Sequence, residues 1–111
     1  MMSDSVSPDE LDRLLLADGT LKLLDVRRPS DRSNDPSTIQ GAVWKDPEKV
    51  AVWGKELAGQ NVVIFCVRGG SVSRTVQLKL REQGIPVRCL EGGLEAWKQV
   101  RREKMKRSPD L

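Results

Sequence analysis

The chain contains no histidine and no tyrosine. Without imidazole, Ser-His-Asp and Cys-His catalytic machinery is excluded, and most transition-metal sites go with it. Cysteine is scarce: Cys66 and Cys89 are the only two, too far apart for a metal-ligand pair and too few for a disulfide framework. Both are expected as free thiols, and neither a metal nor another cofactor is expected. Long hydrophobic runs are also missing. The longest covers residues 62–67, whereas a membrane-spanning helix needs roughly 20 apolar residues, so no membrane partner is expected. Met1-Met2-Ser3-Asp4-Ser5 shows no basic segment followed by an apolar one, which makes a cytoplasmic location the expectation.

What remains is a chain of 111 residues, 38% hydrophobic and 32% charged, the balance of one soluble globular domain. The net charge of +3 is concentrated near the end, where Lys98, Arg101, Arg102, Lys104, Lys106 and Arg107 face Glu103 alone. No aromatic residue interleaves with these charges, so a solvated, frayed tail is expected and a nucleic-acid partner is not. The expected organisation is a disordered start over 1–6, a folded domain over 7–100 and a basic tail over 101–111.

Ser7-Pro8-Asp9-Glu10 combines an N-cap serine, proline at the first helical position and glutamate three residues after the cap, the signature of a helix start. Leu11, Leu14 and Leu15 supply its apolar face and Gly19 stops it. Residues 21–26 read as a strand ending in Asp25-Val26-Arg27. Residues 28–41 turn to Pro, Ser, Asn, Asp and Arg and read as a connecting loop, followed by a brief strand at Ala42-Val43-Trp44. Asp46-Pro47 can open a helix with Val50, Trp53 and Leu57 inward. Val62-Val63-Ile64-Phe65 is apolar without alternation, as in a central strand covered on both faces. A helix is predicted from about residue 71 to 83, with Val72, Val76 and Leu80 stacking and Gly84 just past its end. A strand over 85–90 and a helix over 94–102 complete the chain. Strands alternating with helices make this an α/β fold with a parallel sheet, in which ligands bind outside the carboxyl ends of the strands.

Cys66 stands at such an end. After it the chain must turn sharply into a helix, and Gly69 and Gly70 permit that turn. Backbone N–H groups would then point into a cup, joined by the positive end of the helix, and would stabilise a thiolate, a persulfide or a substrate oxyanion. Arg68 adds a charge and Ser71 a hydroxyl. A cysteine in that setting reads as a nucleophile that needs no imidazole base. Cys89, inside a strand with no glycine loop after it, reads as a packed core residue. Arg27 is open between a salt bridge and substrate attraction. Asp25 reads as a carboxylate that braces a neighbouring loop through backbone N–H bonds.

Taken together and in order, Asp25-Val26-Arg27, Gly41-Ala42, Val62-Val63-Ile64-Phe65-Cys66 with glycine three residues on, and Leu90-Glu91-Gly92-Gly93 with Ala96-Trp97 resemble the rhodanese-like domain family over about residues 7 to 100. The resemblance implies a three-layer α/β/α fold around a mainly parallel sheet of about five strands. It implies a single-domain thiosulfate sulfurtransferase. Cys66 would carry a persulfide, Val67, Arg68, Gly69, Gly70 and Ser71 would bind the substrate with Arg27, and Asp25 would support the loop. The partners implied are a small anionic sulfur donor and a thiol or cyanide acceptor, with a sulfur-acceptor protein as a further partner.

The chain departs from the family pattern at Ser37-Thr38-Ile39-Gln40, at Arg32 and at Ser71, where an arginine is often found, which leaves the sulfur donor open. Cys-Val-x-Gly-x-x-Val-Ser and Trp44-Lys45-Asp46-Pro47 are similar to rhodanese domains associated with chromate resistance. Two rival readings stand beside the enzyme. A cysteine phosphatase or arsenate reductase would need an arginine at position 72, which is Val72. A non-enzymatic module would use Cys66 for partner binding, redox sensing or sulfur carriage.

Overall fold

The computed structural model describes residues 4–106. Five strands, β1 (Ser5–Val6), β2 (Lys22–Asp25), β3 (Val43–Trp44), β4 (Val62–Phe65) and β5 (Val87–Leu90), form one sheet in the order β1-β5-β4-β2-β3. Every pairing is parallel. The helices are α1 (Pro8–Ala17), α2 (Pro29–Asn34), α3 (Val50–Trp53), α4 (Ser71–Glu82) and α5 (Gly93–Lys106). Among the described residues no helix is long and apolar enough to cross a membrane.

β4 is central, and its unbroken apolar run has a simple cause. Val62 and Ile64 enter one core with Val76 and Leu80 of α4 and Val50 and Trp53 of α3. Val63 and Phe65 enter the opposite core with Leu11 of α1 and Leu94 and Trp97 of α5. All four strand residues are fully buried, so neither face can be polar. The two cores make three layers, α/β/α.

The first helix starts as its sequence dictates: Glu10 N–H donates to Ser7 Oγ at 3.1 Å and Ser7 N–H donates to Glu10 Oε1 at 3.0 Å. Elsewhere tertiary contacts decide. The expected disorder of residues 1–6 is corrected for the part that is described. Ser5 and Val6 pair with Cys89 and Leu90, Val6 is buried in the core shared with α1 and α5, and Gln77 Nε2 holds Asp4 O at 2.9 Å. A strand this short has no periodicity to read, and it forms because it covers the edge of β5.

Residues 28–41 are not all loop, since α2 begins at Pro29, whose fixed φ suits a first helical turn. The segment from Pro47 is a 3₁₀ turn, then α3, then a second 3₁₀ turn, although Val50, Trp53 and Leu57 do face inward. The basic tail is also corrected in part. Residues 101–106 continue α5, where Lys104 Nζ lies 3.2 Å from Asp9 and 3.1 Å from Asp12 of α1, and Arg101 lies 3.4 Å from Asp12. Residues 1–3 and 107–111 lie outside the described residues.

Asp35, at the end of α2, accepts hydrogen bonds from Lys98 of α5 and from Ser37. The Lys98 contact, then Ser37, hold its carboxyl well below the usual 3.8. Asp4 is lowered by Arg81, Glu10 by Ser7 and Asp18 by Thr20. A carboxylate with a depressed folded-state value stabilises the fold above its unfolded value, and the contribution is lost as pH falls through the folded value. The urea midpoint should therefore fall as pH drops from about 5 to about 3, and less steeply in Asp35→Asn. Equal slopes in the two proteins would show that the Asp35–Lys98 tether carries no linkage.

Candidate active site

β4 stops at Phe65, and the ladder runs one residue further through Val26 N–H, which donates to Phe65 O at 2.9 Å. Cys66 follows, with 5% of its surface exposed. Residues 67–70 are a chain of bends leading into α4. Two features of this turn decide what it can do.

The first is where the carbonyls go. Leu94 N–H donates to Cys66 O at 2.9 Å and Glu95 N–H donates to Val67 O at 3.0 Å, so the start of α5 takes the acceptors of the turn. The contact is close enough to demand glycine. A Cβ on Gly93 would lie 2.5 Å from Cys66 O and 2.7 Å from Gly69 N, and Gly93 has φ +62. Gly69 has φ +73, and a Cβ there would meet Gly92 N at 3.0 Å. Both positions require a residue without a side chain.

The second is where the donors do not go. Among the described residues, no backbone acceptor takes the N–H groups of residues 67–73. The start of α4 has Gly70 in the cap position and no side-chain cap, in contrast to the capping box of α1. The free amides and the positive helix end therefore collect beside Cys66, an arrangement suited to negative charge on sulfur or on an incoming anion.

The residues expected to bind substrate separate into two groups. Val67, Arg68, Gly69, Gly70 and Ser71 do form the turn beside Cys66. Arg68 extends outward with its side chain 78% exposed, and its Nε donates to Glu95 Oε2 at 2.8 Å, so its charge sits at the rim beside a carboxylate. Ser71 is exposed and lines a cavity of about 570 Å³ with Arg28, Pro47, Glu48, Thr75 and Lys79.

Arg27 is the exception and corrects the expectation of substrate binding. It is 1% exposed. Its guanidinium meets Asp25 Oδ2 at 2.8 Å, donates to Asp35 O at 2.8 Å and donates to Ser37 O at 3.0 Å. Nε and both Nη nitrogens are thus engaged inside the protein, which makes the group a structural one, as a buried guanidinium must find its partners internally. Asp25 is correspondingly not a brace of the Cys66 turn. It accepts the Arg27 N–H at 3.0 Å and the Thr38 hydroxyl at 3.3 Å, so the pair pins residues 35–38.

Cys89 is packed as expected. Burial first, then the neighbouring Cys66, pushes its thiol up to about 11, and its Sγ–H lies 3.7 Å from Ser73 O. Among the described residues no three His, Cys, Asp or Glu side chains gather to hold a metal. The parts missed from sequence are Gly93 and the first amides of α5. Gly92-Gly93 reads as a turn, but its contact with the Cys66 turn exists only in three dimensions.

Comparison with known families matches residues 7–100 to the rhodanese-like domain. A rhodanese-like domain protein from Staphylococcus aureus is 26% identical, with 86% of this chain and 91% of that chain covered at a TM-score of 0.74. A rhodanese-related protein from Thermoplasma volcanium is 19% identical over 88% of this chain and 93% of that one, TM-score 0.71. A Rhodopseudomonas palustris protein of unknown function, described as a possible tyrosine phosphatase, is 19% identical over 87% and 80%, TM-score 0.75. The last two show likeness of fold alone. No curated protein sequence matches the chain. The narrower likeness to chromate-resistance domains has no support among these relatives.

Arg27→Ala should destabilise the protein by about 3 kcal/mol or more, since it strands a buried carboxylate. Urea unfolding measures this, and a loss under about 1 kcal/mol would mean the pair is not structural. Gly93→Ala should slow alkylation of Cys66 by iodoacetamide while Arg68→Ala leaves folding intact. Unchanged labelling in Gly93→Ala would show that α5 does not shape the turn.

Proposed function

The chain belongs to the rhodanese-like domain family, and from that premise we propose that it is a sulfurtransferase in which Cys66 carries sulfane sulfur as a persulfide. The observation that carries the proposal is the set of free amides on residues 67–73 beside a nearly buried cysteine. In the first half-reaction the Cys66 thiolate attacks the outer sulfur of thiosulfate or a related donor. The donor S–S bond breaks, sulfite leaves with the electron pair, and the Cys66 persulfide forms. In the second, a thiol or cyanide takes the outer sulfur and the thiolate returns. Both halves keep negative charge in the cup, where preorganised N–H donors oppose it without help from imidazole.

The cavity beside Ser71, with Arg28 and Lys79 in its wall, gives an anionic donor or acceptor a route to the turn. Phosphoryl chemistry has less support. Val72 occupies the position where a clamping guanidinium would be needed, and Arg74, further along α4, is exposed.

Incubation with thiosulfate followed by intact-mass measurement should add one sulfur atom to the protein and to Cys89→Ala, and none to Cys66→Ala. If no sulfane donor adds sulfur to the parent protein, the proposal fails. Phosphatase activity on p-nitrophenyl phosphate that depends on Cys66 would favour the rival chemistry. Arg68→Ala should raise the KM for thiosulfate by about two- to fivefold at low salt, and Glu95→Gln, which releases Arg68 from its partner, should lower it by a similar factor. A fall in thermal stability of Arg68→Ala with unchanged KM would make that pair structural.

A further inference from the structure

Ser73 is the third residue of α4 and is fully buried, yet its hydroxyl has no hydrogen-bond partner. Helical serines commonly donate to the carbonyl one turn back, but Gly69 O receives nothing from it. A buried hydroxyl left unpaired calls for a reason in the chemistry of its surroundings.

Its surroundings are narrow. Ser73 shares the inward face of α4 with Val76, Gln77 and Leu80, and a helical Cα–Cβ bond leans toward the helix N-terminus. Its hydroxyl is therefore directed to the Cys66 end of the layer between α4 and the sheet. On the sheet side, Ile64 is in register with Cys89, and both lie in the core under α4. Strand alternation puts Cys66, two residues beyond Ile64, on the same face. Behind Ser73, Cys89 Sγ–H points at its carbonyl, 3.7 Å away. The apolar side chains of this core are aliphatic, indole or sulfur. The Gln77 amide on the same face is held through its Nε2 by Asp4 O and Val87 O and makes no hydrogen bond with the Ser73 hydroxyl. Cys89 is turned to the Ser73 carbonyl, which leaves the Cys66 sulfur as the acceptor toward which the hydroxyl leans.

We propose that Ser73 Oγ–H donates to the negative charge on Cys66 Sγ, as a side-chain donor held in reserve until the thiol ionises. It supplements the backbone amides of the turn and of the start of α4. The inference rests on Cys66 being the reactive thiol and does not require sulfur transfer. The charged and titratable groups around this end of the sheet are Cys89 on β5, Arg74 on α4, Arg68 in the turn with Glu95 on α5, and the Asp25–Arg27 pair at the end of β2. Substitution of Ser73 changes the charge of none of them.

The experiment is the pH profile of iodoacetamide labelling at Cys66, read by peptide mapping, in the full chain and in Ser73→Ala and Ser73→Thr, with urea unfolding of each. Ser73→Ala should label about three- to tenfold more slowly at neutral pH, with its rise in rate moved to higher pH. Its stability should equal or exceed that of the parent, because an unpaired hydroxyl is removed. Ser73→Thr should regain most of the rate. Parent-like labelling in Ser73→Ala overturns the inference, whether stability holds or falls, and so does a folded Ser73→Thr that labels as slowly as Ser73→Ala. Labelling needs no sulfur donor, so a protein that accepts no sulfur but shows this shift would refute the sulfurtransferase reading and leave the role of Ser73 standing.

Discussion

The site depends on two hydrogen bonds that leave from α5: Leu94 N–H to Cys66 O and Glu95 N–H to Val67 O. They use the acceptors of the turn after β4 and so orient its peptide planes, which leaves the following amides without internal partners. Donors without an internal partner at a helix start are open to solvent or to an anion. The fold gathers them beside Cys66, which follows the last residue of β4. Glycine at 93 is the condition for the contact, because any side chain there would collide with the Cys66 carbonyl.

Around this turn the rest of the molecule is a support with separable parts. β4 is buried on both faces and holds Cys66 at the carboxyl end of the sheet. The Asp25–Arg27 pair is buried and ties β2 to residues 35–38. Asp35 then links that segment to α5 through Lys98. Within the turn itself the charged side chain is Arg68, already paired with Glu95, so its attraction of anions is moderated at the rim, and backbone dipoles add positive potential beside Cys66.

Much of this was legible in the sequence, for reasons that are local. The capping box at Ser7 and Glu10, the non-alternating run of β4 and the glycine turn into α4 each follow from short-range chemistry, and the structure has all three. Cys66 as a strand-end cysteine and Cys89 as a core thiol followed from the same reasoning. What escaped was set at a distance. Ser5–Val6 becomes a strand only because β5 offers an edge, and residues 101–106 stay helical beside acidic residues of α1. Arg27, which carries the same sequence signal whether it faces a ligand or a carboxylate, turned inward because Asp25 is two residues away and the carbonyls of Asp35 and Ser37 lie within reach.

The central claim is that inward-facing amides of the turn hold a negatively charged sulfur on Cys66. A crystal structure of the protein after exposure to thiosulfate tests it directly. Density for one additional sulfur should appear bonded to Cys66 Sγ, within hydrogen-bonding distance of N–H groups of residues 67–71. Additional sulfur on Cys89 instead, or a modified Cys66 whose terminal sulfur points away from amides turned outward, would contradict it.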